Sequence, residues 1–281
     1  MRRFTPYPIH ISGSALDEDF RAFVAAISPF LTAEMKNRLI VRSNRLDYVN
    51  DDRPAAHSYE HQVQMVLAEI NATRLGRTLL RGLPSFVPIW IIRYDSLAQP
   101  TGKGAITSQM SSDHTKGVRI QYSPEMWLPG GDGRQYPGYR PDETLLHEMV
   151  HASRFARFGY DAMNHQPLRD NDDHEEFLAV QLTNVYRSEK GAQKFNFSYR
   201  TSKTGSKAEV EYMLYSYEPY LRAIEDFLHD PMVKLVSNIA TAFNPFRDLP
   251  RLKQARAQEL QRARTDARPA TRGGMAPPVR Y

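Results

Sequence analysis

The sequence predicts an α+β fold, mostly helical, with a small β-sheet next to one motif-bearing helix. Three observations carry that expectation. Apolar residues recur at helical spacing in most of the chain, notably from Tyr59 to Leu80, from Pro141 to Phe158 and from His174 to Tyr186. Two short segments, Val87–Tyr94 and Val118–Tyr122, instead have strand character. Directly after them comes Glu143-Thr144-Leu145-Leu146-His147-Glu148-Met149-Val150-His151, a complete His-Glu-x-x-His motif inside a helical pattern.

Residues 1–58 mix short apolar runs with Asn, Asp and Pro. Phe20, Phe23, Val24 and Ile27 fit one amphipathic helix, and the pattern breaks into a loop around Val49–Pro54. This section reads as an N-terminal extension for secretion or partner binding. Val63, Val66, Leu67, Ile70 and Leu79 form one helical stripe, which Gly82 and Pro84 stop. Val87–Tyr94 is rich in β-branched and aromatic residues, with Pro88 near its start. A polar linker is expected from Asp95 to Lys116. Val118-Arg119-Ile120-Gln121-Tyr122 then alternates apolar and polar residues, as a half-buried edge strand does. The Gly/Pro-rich loop Pro129–Gly138 delivers the chain to the motif helix.

Pro141 and the acidic Asp142 and Glu143 mark the start of that helix. At about 100° per residue, His147 and His151 lie one turn apart on one face. Leu145, Met149, Ala152 and Ala156 form the opposite, core-facing side. A chain of this composition would contain the motif by chance about 1–2% of the time, and the helical context lowers that risk further. Two neutral imidazoles at this spacing suit Zn²⁺, and Glu148 stands beside them to take a proton from water. There is no Cys, so disulfides, thiolate zinc sites and a cysteine nucleophile are excluded. Any metal must be held by His and carboxylates.

A catalytic zinc generally needs a third protein ligand. The helix expected from His174 to Tyr186 and the polar loop before it offer His165, Asp172, Asp173, His174, Glu175 and Glu176. Glu176 shares a helix face with Val180, Thr183 and Arg187. Glu143, one turn before His147, is a candidate to orient a histidine. Tyr212, Tyr215, Tyr217 and Tyr220 are candidates to stabilise an oxyanion, among which the sequence does not choose.

Residues 191–215 lack periodicity and are expected to form a loop over the cleft. Helical spacing returns from Ser216 to Phe243, interrupted at Asp230-Pro231, so two helices are expected there. Pro245 and Pro250 are read as breakers before a last helix from Leu252 to about Arg264. The division expected is a 1–58 extension, a 59–250 enzymatic domain and a 251–281 basic tail. The tail holds eight Arg or Lys against two acidic residues, which leaves the remaining 250 residues near neutral. It lacks interleaved aromatics apart from Tyr281, so it gives no strong nucleic-acid signal. No run approaches a membrane span, and no apolar run of signal-peptide length follows Met1-Arg2-Arg3.

The His-Glu-x-x-His motif followed by a second helix carrying Glu resembles the gluzincin zinc metallopeptidases, a zincin-like fold. Glu176-Phe177-Leu178-Ala179 is similar to the Glu-Phe-Phe-Ala signature around the third ligand in lethal-factor-type enzymes. The span from Ala72–Leu80 through Leu182–Glu189 resembles the effector-type, type III secreted zinc metalloproteases that bacterial pathogens inject into host cells. The resemblance implies one Zn²⁺ held by His147, His151 and Glu176, with Glu175 as the alternative, and Glu148 as catalytic base. It implies a protein or peptide substrate, a host target protein, and leaderless secretion into a host cell. The competing expectation is a non-catalytic helical interaction protein with a vestigial zinc site, or an anionic-polymer binder working through the basic tail.

Overall fold

The computed structural model describes residues 2–3, 9–12, 41–42, 59–93, 105–110, 114–124, 140–163, 165–198 and 203–266. The helix expected at Phe20–Ile27, the loops at Val49–Pro54 and Pro129–Gly138, and the tail beyond residue 266 lie outside them. The described residues form an α+β fold with one mixed sheet and a larger set of helices.

The sheet is built on β4 (Ile89–Arg93), whose first four residues are all buried. On one side it pairs in parallel with β2 (Ile9–Ser12), which carries β1 (Arg2–Arg3) antiparallel and β3 (Val41–Arg42) parallel. On the other side it pairs in parallel with β6 (Val118–Tyr122). Among the described residues the outermost strand on that side is β5 (Ala105–Gln109), antiparallel to β6 with Ala105 opposite Tyr122 and Gln109 opposite Val118. The sequence had pointed to Val118–Tyr122 as the edge and to Asp95–Lys116 as linker. The structure corrects both: β6 is interior, and the edge strand lies inside the presumed linker. An edge strand keeps one side open to water, so Thr107, Ser108 and Gln109 are tolerated there and leave no apolar alternation to read.

The single helix expected over Tyr59–Leu80 is two, α1 (Tyr59–Ala72) and α2 (Arg74–Arg81). Thr73 divides them: its hydroxyl accepts from Gly76 N at 3.0 Å as an N-cap, and Glu189 accepts from Arg74 N and Leu75 N at 3.0 and 2.8 Å. The turn is tight enough that a Cβ on Gly76 would sit 1.9 Å from the Ile70 carbonyl oxygen. Gly76→Ala is therefore expected to destabilise the fold by about 3 kcal/mol despite the better helix propensity of Ala, read as a lowered denaturant midpoint at unchanged slope.

The motif helix α3 (Pro141–Phe158) starts with Pro141 in its first turn and ends at Gly159, whose φ of 74° suits glycine. Leu145, Met149, Ala152 and Ala156 are fully buried, so α3 lies across β5 and β6 on its apolar side. It packs against α4 (His174–Glu189), which runs antiparallel to it. At the far end of this pair Tyr186 OH donates to Asp142 at 2.6 Å, Lys190 Nζ to Asp142 at 2.5 Å, and Arg187 Nη1 to Glu143 at 2.8 Å. These acids are buried rather than surface residues of the first turn. Burial pushes the Glu143 carboxyl up to about 7 even though Arg187 pulls the other way.

The described residues of 191–215 are not all loop. They include an antiparallel pair, β7 (Lys194–Asn196) and β8 (Thr204–Ser206), and most of α5 (Lys207–Ser216), started by a Ser206/Glu209 capping box. Two helices follow as expected, α6 (Glu218–Phe227) and α7 (Pro231–Val236), the latter capped by Asp230. The last helix, α8 (Pro245–Asp266), begins earlier than expected. Pro245 occupies its first position, where the missing N–H costs nothing, and Pro250 is tolerated inside it. No described helix is long and apolar enough to cross a membrane.

Candidate metal centre

The two histidines on α3 and Glu176 in the first turn of α4 converge. His147 Nε2 lies 3.2 Å from His151 Nε2 and 3.1 Å from Glu176 Oε2, and His151 Nε2 lies 3.5 Å from Glu176 Oε1. Among the described residues they form the group able to hold a metal, with ligand atoms within 4.8 Å of one another. Ligands about 2.0–2.1 Å from a tetrahedral zinc are about 3.3 Å apart, so these separations fit one such ion. Donor chemistry agrees: two imidazoles and one carboxylate are a hydrolytic zinc set.

Electrostatics concentrate on the same three groups. Burial disfavours charge on His151, but the Glu176 carboxylate, with Glu148 and Glu175 behind it, outweighs this and lifts the imidazole to about 9. Burial likewise opposes charge on Glu176, yet His151 and His147 hold its carboxyl far below the usual range. A proton held between them supplies positive charge where a cation would supply it.

Glu148 is buried beside the histidines. The Thr107 hydroxyl, on edge strand β5, is shared between Glu148 Oε2 at 2.6 Å and the Glu148 carbonyl at 3.1 Å. The carboxylate is therefore fixed by the strand that borders the cleft. Thr107 was not singled out in the sequence because it stood in the presumed linker; the run Ala105-Ile106-Thr107, with two β-branched residues, was its one local signal.

The other candidates have different partners. Glu175 makes a two-pronged ion pair with Arg154, from Nε and Nη2 at 2.8 Å each, and Arg154 Nη1 also meets Asp230 at 2.6 Å. Asp173 caps α4, accepting from Glu176 N at 2.8 Å, and bonds His165 Nδ1 at 2.7 Å. His174 Nδ1 bonds the Gln166 carbonyl at 2.9 Å. Asp172 is exposed. Glu143, the proposed orienter of a histidine, is paired with Arg187. Tyr220 is buried and stacked on Phe177, Tyr217 packs edge-on against Tyr220, and Tyr212 packs against Tyr215. Among the described residues the tyrosine that lines the cleft is Tyr160, in the turn after α3, together with Phe155, Met163 and His165. The cleft holds about 230 Å³.

A family profile described as the Peptidase M91 effector protein family matches residues 50–196, a little over half of the chain. The chain belongs to this family. The matched span of the Peptidase M91 domain contains β4 to β6, α3 and α4, and so includes Thr107, both histidines, Glu148 and Glu176. Membership makes the protein an effector-type peptidase whose substrate is a protein. Searches of curated proteins and of solved structures gave no match.

Proposed function

We propose that the protein is a zinc-dependent endopeptidase of the gluzincin type, an effector that cuts a host protein. The observation that carries this reading is the meeting of His147, His151 and Glu176 within ligand distance of one another, with Glu148 held beside them by an edge strand. His147, His151 and Glu176 would hold the zinc, which when bound acidifies water and polarises a carbonyl. Glu148 accepts the proton of the attacking water on its carboxylate and returns it to the leaving amine. The Thr107 hydroxyl keeps that carboxylate aimed into the cleft. The open side of β5 offers backbone groups to an extended peptide, which strand addition would place across the carboxylate.

Two measurements test the reading. Chelation is expected to abolish proteolysis of a susceptible protein, and one equivalent of zinc to restore it; full activity after complete chelation would overturn it. Zinc affinity should also depend on pH with a defined sign. His151 ligates only when neutral, and without metal it holds its proton up to about 9. Zinc uptake below that pH releases a proton, so affinity falls by about tenfold per unit as pH drops from about 8.5 to about 6.5.

A further inference from the structure

A second cavity, of about 410 Å³, adjoins the cleft and shares Thr107, Phe155 and Tyr160 with it. Resting on the peptidase reading, we propose that it is the subsite for a cationic substrate side chain, Lys or Arg, next to the bond that is cut. Thr107 and Gln109 lie on the same face of β5, about 6.8 Å apart along the strand. Thr107 marks the level of Glu148, so a peptide lying along β5 brings a side chain to Gln109 within a residue or two of the scissile bond.

The lining matches an aliphatic stem ending in a cation. Met110 and Phe155 supply an apolar wall, and Tyr160 keeps 49% of its surface exposed. The Tyr160 ring is held in place by His165, stacked at 4.1 Å, and by Phe155, edge-on at 5.7 Å, so it is a preformed platform for a cation. Asp161, the next residue, is exposed at the same cavity and makes no ion pair among the described residues. Gln109 also lines the cavity.

The charges nearby favour the same guest. Asp161, exposed at the same cavity, repels an acidic side chain. The nearby cation Arg119 bonds Ser108 Oγ at 3.3 Å. Ser108 and Arg119 are opposite each other on β5 and β6; Ser108 also lines the cavity, and Arg119 does not.

The test uses the full chain loaded with zinc and carrying Glu148→Gln, so that peptides bind without being cut. Short fluorescent peptides differing only by Lys or norleucine at successive positions are titrated by anisotropy. At one position Lys is expected to bind about tenfold tighter, the combined effect of a ring and a carboxylate on one cation. Adding Asp161→Asn should shrink that ratio to about twofold, and Asp161→Lys should turn the preference towards Glu. Asp161 is exposed, so these variants are expected to keep the parent melting temperature. No Lys preference at any position, or one that survives Asp161→Asn, overturns the proposal. Cleavage of the same peptides by the unmodified protein reports separately. Lys preference without cleavage leaves the subsite standing and removes the peptidase reading, and cleavage without Lys preference does the reverse.

Discussion

Glu148→Gln is expected to lower kcat for protein cleavage by about 10²–10⁴-fold while the purified protein still holds one zinc. Gln is isosteric and its side-chain oxygen can still accept from the Thr107 hydroxyl, now 2.6 Å from Glu148 Oε2, so the local packing is retained. What it cannot do is take a proton from water. His147, His151 and Glu176 are unchanged, so metal content should stay at one per chain by elemental analysis. The pairing of the two readouts is what makes the variant informative. Loss of activity with loss of zinc would assign Glu148 to metal retention, and full activity would remove it as the base. A site kept only for structure needs no such carboxylate.

The sequence made the histidines legible because both belong to one helix, where a spacing of four fixes the geometry without any knowledge of the fold. Glu148 followed from the same helix. The third position needed a second helix, and there periodicity alone left Glu175 and Glu176 open. The choice depends on how α4 is rotated against α3, which long-range bonds set: Arg154 to Glu175 at one end, and Asp142 and Glu143 to Tyr186, Arg187 and Lys190 at the other. Buried acids in the first turn of α3 looked like surface helix-start residues because their partners lie 44 to 48 positions away. The edge strand was hidden for a different reason. Its outward pairing partner is absent by construction of an edge, so selection for apolar alternation is weak, and Thr107, Ser108 and Gln109 read as linker. Prolines misled in the opposite direction at α8, where Pro245 opens a helix rather than ending one.

Substituting the two neighbouring glutamates should separate their roles by opposite signatures. Glu176→Ala removes a group whose oxygens lie 3.1 and 3.5 Å from the histidine nitrogens, so zinc affinity should fall by more than about 100-fold, beyond what loss of an outer-shell partner usually costs. Its effect on the stability of the metal-free protein should be the smaller of the two: it ends the pairing with the histidines, but His151 can then give up its proton and stay buried as a neutral imidazole, which Arg154 cannot do. Glu175→Ala acts the other way. Its side chain is 2% exposed and Arg154 12% exposed, so removing the carboxylate leaves a guanidinium largely out of water with only Asp230 to balance it. Breaking a buried pair from one side costs about 3–5 kcal/mol, and the surviving Asp230 contact places this case near the lower figure. Chemical denaturation of the metal-free variants and zinc titration of the folded ones measure the two effects independently. If Glu175→Ala were the variant that lost zinc while Glu176→Ala lost stability, the third position would belong to Glu175 and α4 would have to be turned by about 100° from the arrangement described.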